Sequence, residues 1–208
     1  MHAVFVHGWG YHAGLWKDVI ALMPGMSVSL VDLGFVAGGP AGVTSSWPAD
    51  SVAIGHSLGL LWLLQQGDRR FRALVSVQGF DCFCCHVPRA RVEAMRRGLK
   101  QNAPETLGNF WRSCGTPDFA KPEDLNIEKL DAGLDWLMNW NETGKPATLD
   151  CPVRALAARD DPIVPATMSA SIWGAQNVIW SEEGAHALPL RRPAWCAERI
   201  QEFVRELA

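Results

Sequence analysis

The sequence predicts an α/β protein: a mainly parallel central sheet flanked by helices, with a helical insertion after the fourth predicted strand. Three observations predict this. Short apolar runs ending at glycine or turn residues alternate with segments of helical spacing, and such alternation requires crossover connections and a parallel sheet. The alternation stops over residues 86–145, where no convincing strand occurs, and resumes at residue 151. The chain has 208 residues, 48% hydrophobic and 20% charged, which suits one ordinary globular domain able to bury a sizeable core.

The elements follow in order. AVFVHG is a short apolar, β-branched run that stops at Gly8, and reads as a buried strand. HAGLWKDVIALM, residues 12–23, places Leu15, Trp16, Ile20 and Met23 along one helical side and is closed by Pro24 and Gly25. MSVSLVDL is the second strand. Residues 34–50 form a Gly/Pro/Ser loop. SVAIG is the third strand, SLGLLWLLQQG a helix ending at Gly67, and RALVSVQG the fourth strand. Three helices are expected in the insertion, from VPRARVEAMRRGLKQ, PETLGNFWRSCG and LDAGLDWLMNWN. CPVRALAARD is then a strand, VPATMSASIWG a helix and NVIWSEEGAH a last strand and loop. PAWCAERIQEFVREL closes the chain as a helix with Trp195, Ile200, Phe203 and Leu207 on one side. The expected organisation is a core of residues 1–81 and 146–208 carrying a helical cap at 82–145.

Composition removes several function classes. A net charge of −3 gives no reason to expect nucleic acid or a membrane surface as partner. No run of 18 apolar residues is present, and MHAVFVHGWG has neither a basic leader nor a cleavage site, so a cytoplasmic location is expected. Cys82, Cys84 and Cys85 crowd beside His86, but no second clean cysteine pair follows. No metal and no cofactor are expected, and the thiols are read as reduced and mostly buried. A monomer is expected. Ten tryptophans supply apolar bulk that could line a pocket.

The chemistry is carried by GHSLG, residues 55–59, a G-x-S-x-G pattern between a strand and a helix. A sharp turn there exposes Ser57 above the carboxyl edge of the sheet, and Gly55 and Gly59 let the backbone pack closely around it. A serine hydroxyl is a weak nucleophile and needs an adjacent base. His186, in EEGAHALPL between the last strand and the last helix, stands where the order Ser…Asp…His wants that base. RDDPIVP follows a strand and offers Asp160 and Asp161. Asp161 has the spacing that brings it to the top of the loop; Asp160 is the alternative, or a turn and cap residue. Backbone N–H groups of Leu58 and Trp9 are the candidate oxyanion hole. His7 is read as support for the HGWG turn.

With HGWG, GHSLG, DDPIVP and GAHALP in this order, the chain resembles the α/β-hydrolases over nearly its whole length. It departs from them in a shortened N-terminus, since the first residues already form the strand leading to HGWG, and in the 34–50 loop standing for most of a helix. Within that superfamily it most resembles the pimeloyl-[acyl-carrier protein] methyl ester esterases of biotin synthesis. HGWG followed by Trp16, LVDLGF, LVSVQGFDCF and LDAGLDWLMNWN carry this likeness. The resemblance implies a serine carboxylesterase that removes methyl from an acyl chain on acyl carrier protein through an acyl-enzyme on Ser57. It also implies an apolar channel lined by Trp9, Leu58, Phe83 and Phe110. A short-chain esterase, thioesterase or lactonase would use the same triad, and a non-catalytic ligand-binding protein would not need it. A dehalogenase is excluded by serine at the nucleophile position.

The insertion has its own polarity. At about 100° per residue, Arg89, Arg96 and Lys100 fall within about 40° of one another, beside an apolar face of Val92, Met95 and Leu99. Such a basic stripe suits an acidic carrier protein, and equally a solvated helix face. Farther on, Asp118, Glu123, Asp124, Glu128, Asp131 and Asp135 make the insertion acidic.

Overall fold

The structure, a computed structural model, describes residues 1–40, 44, 46–66 and 70–207. The expected helix end at Gly67 and residues 41–43 and 45 of the expected loop lie outside the described residues.

All six expected strands form. They are β1 (His2–Val6), β2 (Ser27–Val31), β3 (Val52–His56), β4 (Ala73–Val77), β5 (Val153–Ala158) and β6 (Val178–Ser181), in the order β2-β1-β3-β4-β5-β6. Every pairing is parallel. β3 and β4 are buried at every position, which is why they read as continuous apolar runs rather than alternating ones. The chain runs outward from β1 to β2, then returns to place β3 on the other side of β1. Order therefore reverses between β1 and β3, and in open parallel sheets the crevice beyond the carboxyl ends at such a point is where ligands bind. HGWG leaves β1 and GHSLG leaves β3 at that point.

The helices are α1 (Lys17–Ala21), α2 (Leu58–Leu64), α3 (Arg89–Gln101), α4 (Ala103–Ser113), α5 (Ile127–Asn139), α6 (Lys145–Thr148), α7 (Ala166–Trp173), α8 (Leu188–Arg191) and α9 (Pro193–Glu206). The expected 12–23 helix is shorter. Its first turn, Ala13–Trp16, is a 3₁₀ helix capped by the His12 ring, which accepts the Gly14 N–H at 3.0 Å. α6 and α8 lack the length for a periodic signal and were not expected from sequence.

α3 to α6 lie between β4 and β5, where the sequence places the helical insertion. Asn102 and Asn126 cap α4 and α5 with their side-chain oxygens, accepting from Glu105 N and Lys129 N. Val92 and Leu99 of α3 are buried as its apolar face requires. The insertion is stitched to the loop after β2: Ala37 N donates to Asp124 O at 2.7 Å and Asn126 N to Phe35 O at 3.0 Å. α5 also presses on the turn after β1. A Cβ at Gly133 would come within 2.6 Å of the Trp9 ring and 2.7 Å of Phe35, so only glycine allows that approach.

One expectation is overturned. Cys82 and Cys85 form a disulfide, with Cα atoms 5.5 Å apart, so these thiols are not reduced; Cys84, Cys114, Cys151 and Cys196 are free. The C-x-x-C spacing of Cys82 and Cys85 is the local signal for this bond, and the expectation of reduced thiols rested on a cytoplasmic location instead. The ring closed is four residues long, for which chain entropy gives about 2 kcal/mol of stabilisation. Urea unfolding of the Cys82→Ser/Cys85→Ser variant, and of the native chain in dithiothreitol, should both fall short of the oxidised chain by about that amount. Identical midpoints in all three would show that the bond contributes nothing.

Candidate active site

Ser57 links β3 to α2 with φ 53° and ψ −124°, a conformation that costs a non-glycine residue about 1–3 kcal/mol. Close packing holds it there. A Cβ on Gly55 would lie 2.5 Å from Leu60 Cα, and one on Gly59 would lie 2.5 Å from the carbonyl oxygens of both Val6 and His7. The two glycines are thus needed for backbone approach, as the motif reading holds. Gly8 completes the contact: its Cβ would meet Ser57 Cβ at 2.9 Å, so the HGWG turn lies directly against the serine.

His186 brings its Nε2 to 3.0 Å from Ser57 Oγ and its Nδ1 to 2.8 Å from Asp161 Oδ2. The His186 and Asp161 side chains are each 1% exposed. An ionised Asp161 only accepts, so Nδ1 carries the hydrogen and Nε2 is left to accept the serine O–H. Asp161 Oδ1 is occupied by the backbone N–H groups of Ile163 and Val164, at 2.8 and 2.9 Å. Its carboxylate is fixed by the DPIVP turn itself. Asp160 does something else: its two oxygens accept Gly184 N at 3.2 Å and Ala185 N at 2.9 Å, holding the loop just before His186. The choice of Asp161 over Asp160 as the histidine's partner agrees with this geometry.

Two further residues shape the site that sequence reasoning did not select. Gln78, at the end of β4, donates Nε2–H to Asp161 Oδ2 at 2.8 Å and to the Ala185 carbonyl, while its Oε1 accepts Leu188 N at 3.2 Å. It grips the acid and both flanks of His186, and its own φ of 52° is the local signature of a constrained position. No pattern in VSVQG announces this. His56 is fully buried and donates Nε2–H to the His186 carbonyl at 2.8 Å. Burial pushes its pKa well below the usual value and nearby His186 adds to this, so the ring is neutral and acts as a brace.

His7 does support the HGWG turn. Its Nδ1–H donates to Gly8 O at 2.9 Å, and its Nε2 accepts Leu33 N at 2.9 Å. Asp32 stands 3.2 Å from the same Nε2 and binds the N–H groups of Ala13 and Gly34. Partial burial opposes ionisation of Asp32, but the His7 ring beside it, and then the Ala13 and Gly34 N–H groups, hold its pKa down at about 2. The Trp111 indole donates to Gly10 O at 2.8 Å and closes the turn from the insertion side.

A cavity of about 110 Å³ opens onto Ser57 and His186. Trp9, Phe83 and Phe110 line it as expected, together with Phe80, Val87, Arg91, Val92, Met95, Leu134, Leu137, Pro162 and Ile163. The Trp9 ring is locked by an indole hydrogen bond to Leu130 O at 2.9 Å and an edge contact with Phe110 at 5.0 Å. Leu58 is a correction. Its side chain is fully buried in the core and is absent from the cavity wall, because one residue along α2 turns it about 100° away from Ser57. Only its backbone remains available to the site.

Arg89, Arg96 and Lys100 line one surface groove of α3, as the helical spacing predicts. Two of them are already engaged. Arg96 binds Asp131 through two nitrogens, at 2.6 and 2.5 Å, and reaches Asp135 at 3.5 Å. Arg89 meets Glu93 at 3.3 Å and donates to Met138 O at 2.9 Å. The acidic half of the insertion folds back on the basic half, and linear spacing along α3 could not reveal that.

No family model matches the chain. Among solved structures it is similar to an esterase from Exiguobacterium antarcticum, with a TM-score of 0.80 and 14% identity over 99% of this chain and 92% of that one. It is also similar to a thermophilic esterase from Thermogutta terrifontis, with a TM-score of 0.76 and 16% identity over 100% and 90%. The chain has the α/β-hydrolase fold. Two curated relatives are also similar in sequence, both named pimeloyl-[acyl-carrier protein] methyl ester esterase. The one from Yersinia enterocolitica is 24% identical over 98% of this chain and 93% of its own length. The one from Proteus mirabilis is 28% identical over 81% of this chain and 78% of its own length. Within this fold, no described group of three or more His, Cys, Asp or Glu residues is placed to hold a metal ion, and no described helix is long and apolar enough to cross a membrane.

Proposed function

We propose that the chain is a serine carboxylesterase that hydrolyses methyl esters of acyl chains, with residues 82–145 as the cap over its site. The observation that carries this reading is the buried Ser57–His186–Asp161 hydrogen-bonded chain opening onto an apolar cavity. Ser57 Oγ attacks the ester carbonyl as His186 Nε2 takes its proton. Asp161 holds the imidazole orientation and stabilises the imidazolium. The backbone N–H groups of Trp9 and Leu58 receive the charge that develops on the carbonyl oxygen. The C–O bond to the alcohol breaks as His186 returns the proton to the leaving oxygen, releasing methanol and an acyl-enzyme. Water, deprotonated by His186, then frees the acid and restores Ser57.

The names of the two sequence relatives support an acyl-carrier-bound substrate of biotin synthesis, and a narrow apolar cavity suits a linear acyl chain. In this reading Arg89, Arg96 and Lys100 form the carrier-docking surface. A second reading, a short-chain esterase acting on free esters, is favoured by one observation: Arg89 and Arg96 already hold internal partners. Methyl pimeloyl-acyl carrier protein and free dimethyl pimelate separate the two. We expect kcat/KM to be higher for the carrier-bound ester by at least about tenfold, a difference of one charge-complementary docking contact. Equal or faster cleavage of the free ester would give the protein to the second reading.

A further inference from the structure

Arg91 stands apart from the other cations of α3. Of the described residues lining the cavity, only Ser57, His186 and Arg91 have polar side chains apart from Trp9, whose indole N–H is bonded internally to Leu130 O, and the first two are the reacting pair in the proposed function. Arg91 is therefore the single polar group in the wall left over for recognition. Its neighbours Val87, Val92 and Met95 are apolar, so the aliphatic stem can lie along them while the guanidinium reaches water. Arg89 and Arg96 on the same helix are tied to Glu93, Met138, Asp131 and Asp135. Among the described residues, the Arg91 guanidinium has no ion pair or side-chain hydrogen bond.

The geometry points to Arg91 as an anion-recognition point on the cavity wall, so that favoured esters carry a carboxylate or phosphate farther along the acyl chain. This rests on the esterase reading. A planar guanidinium presents paired N–H donors matched to two oxygens of a carboxylate or phosphate. Arg91 is itself exposed, so the apolar wall of Phe83, Val92 and Met95 shields such a pair from water on one side only. Ser57 and Arg91 line the same cavity, so an ester seated on Ser57 runs its acyl chain along a wall that carries Arg91. The anion would then meet Arg91 while the ester meets Ser57.

The test separates recognition from turnover. Binding is measured by calorimetry in the Ser57→Ala background, with the monomethyl ester of a linear dicarboxylic acid, its neutral dimethyl ester, and a methyl ester bearing a terminal phosphate. The half-ester should bind about tenfold more tightly than the diester, and Arg91→Met should erase the difference while Arg91→Lys restores part of it. Tighter binding of the phosphate than of the carboxylate would identify a phosphorylated arm as the natural anion; the reverse would identify a free half-ester. Equal binding of the charged and neutral esters, or a preference that survives Arg91→Met, would overturn the proposal. Turnover of the same esters by the unsubstituted chain tests the esterase reading on its own: preferential binding without turnover would sink that reading and leave the anion site standing.

Discussion

Ser57→Ala should lower kcat for methyl ester hydrolysis by about 10⁴–10⁶-fold while the protein stays folded. The side-chain oxygen of Ser57 bonds to His186 alone, so its loss leaves one histidine nitrogen unpaired beside the cavity and breaks no structural link. Backbone strain is unaltered, because alanine and serine both place a Cβ at φ 53°. Ser57→Gly should be just as inactive and yet more stable than Ser57→Ala, by about 1 kcal/mol, because only glycine adopts positive φ without that penalty. A thermal melt of the two variants checks it. Equal melting temperatures would show that the turn stores no strain, and retained turnover in either would show that another residue attacks the ester.

The six strands were legible because a sheet buried on both faces writes itself as apolar runs ended by glycine, and β1 and β3 carry that signature directly. Ser57 and His186 were legible because chemistry fixes their order and their places at loop ends. What escaped is long-range pairing. Gln78 reaches Asp161 across 83 residues and Leu188 across 110, and Arg96 reaches Asp131 across 35. None of these partners lies within one helix turn or one strand register, so no local period records them. The Leu58 side chain was misplaced for a related reason: adjacency to a nucleophile in sequence says nothing of direction when the chain starts a helix there. The helix at residues 12–23 was overextended because apolar spacing does not distinguish an α-turn from the tighter 3₁₀ turn that His12 and Gly14 make.

Asp161→Asn should cost about 10⁴-fold in kcat, far more than Asp160→Asn, and the hydrogen bonds around it say why. Two backbone donors, from Ile163 and Val164, converge on Oδ1. An asparagine must keep its carbonyl oxygen there, which places its NH₂ where Oδ2 had been. That NH₂ then faces two donors, His186 Nδ1–H and Gln78 Nε2–H. Donor against donor is unfavourable, and His186 escapes by moving its hydrogen to Nε2 so that Nδ1 can accept. The ring then points an N–H at Ser57 and can no longer take its proton. The geometry survives and the base is lost, so KM should change much less than kcat. Adding Gln78→Glu to Asp161→Asn should not return the activity, since a carboxylate at position 78 would accept from the new NH₂ but leave His186 Nδ1–H without an acceptor. Asp160→Asn keeps an oxygen for one of the two N–H groups of Gly184 and Ala185, leaves the His186 tautomer alone, and should cost less than about tenfold. Comparable losses for the two aspartates would mean that Asp161 acts by holding the loop rather than by setting the hydrogen on His186.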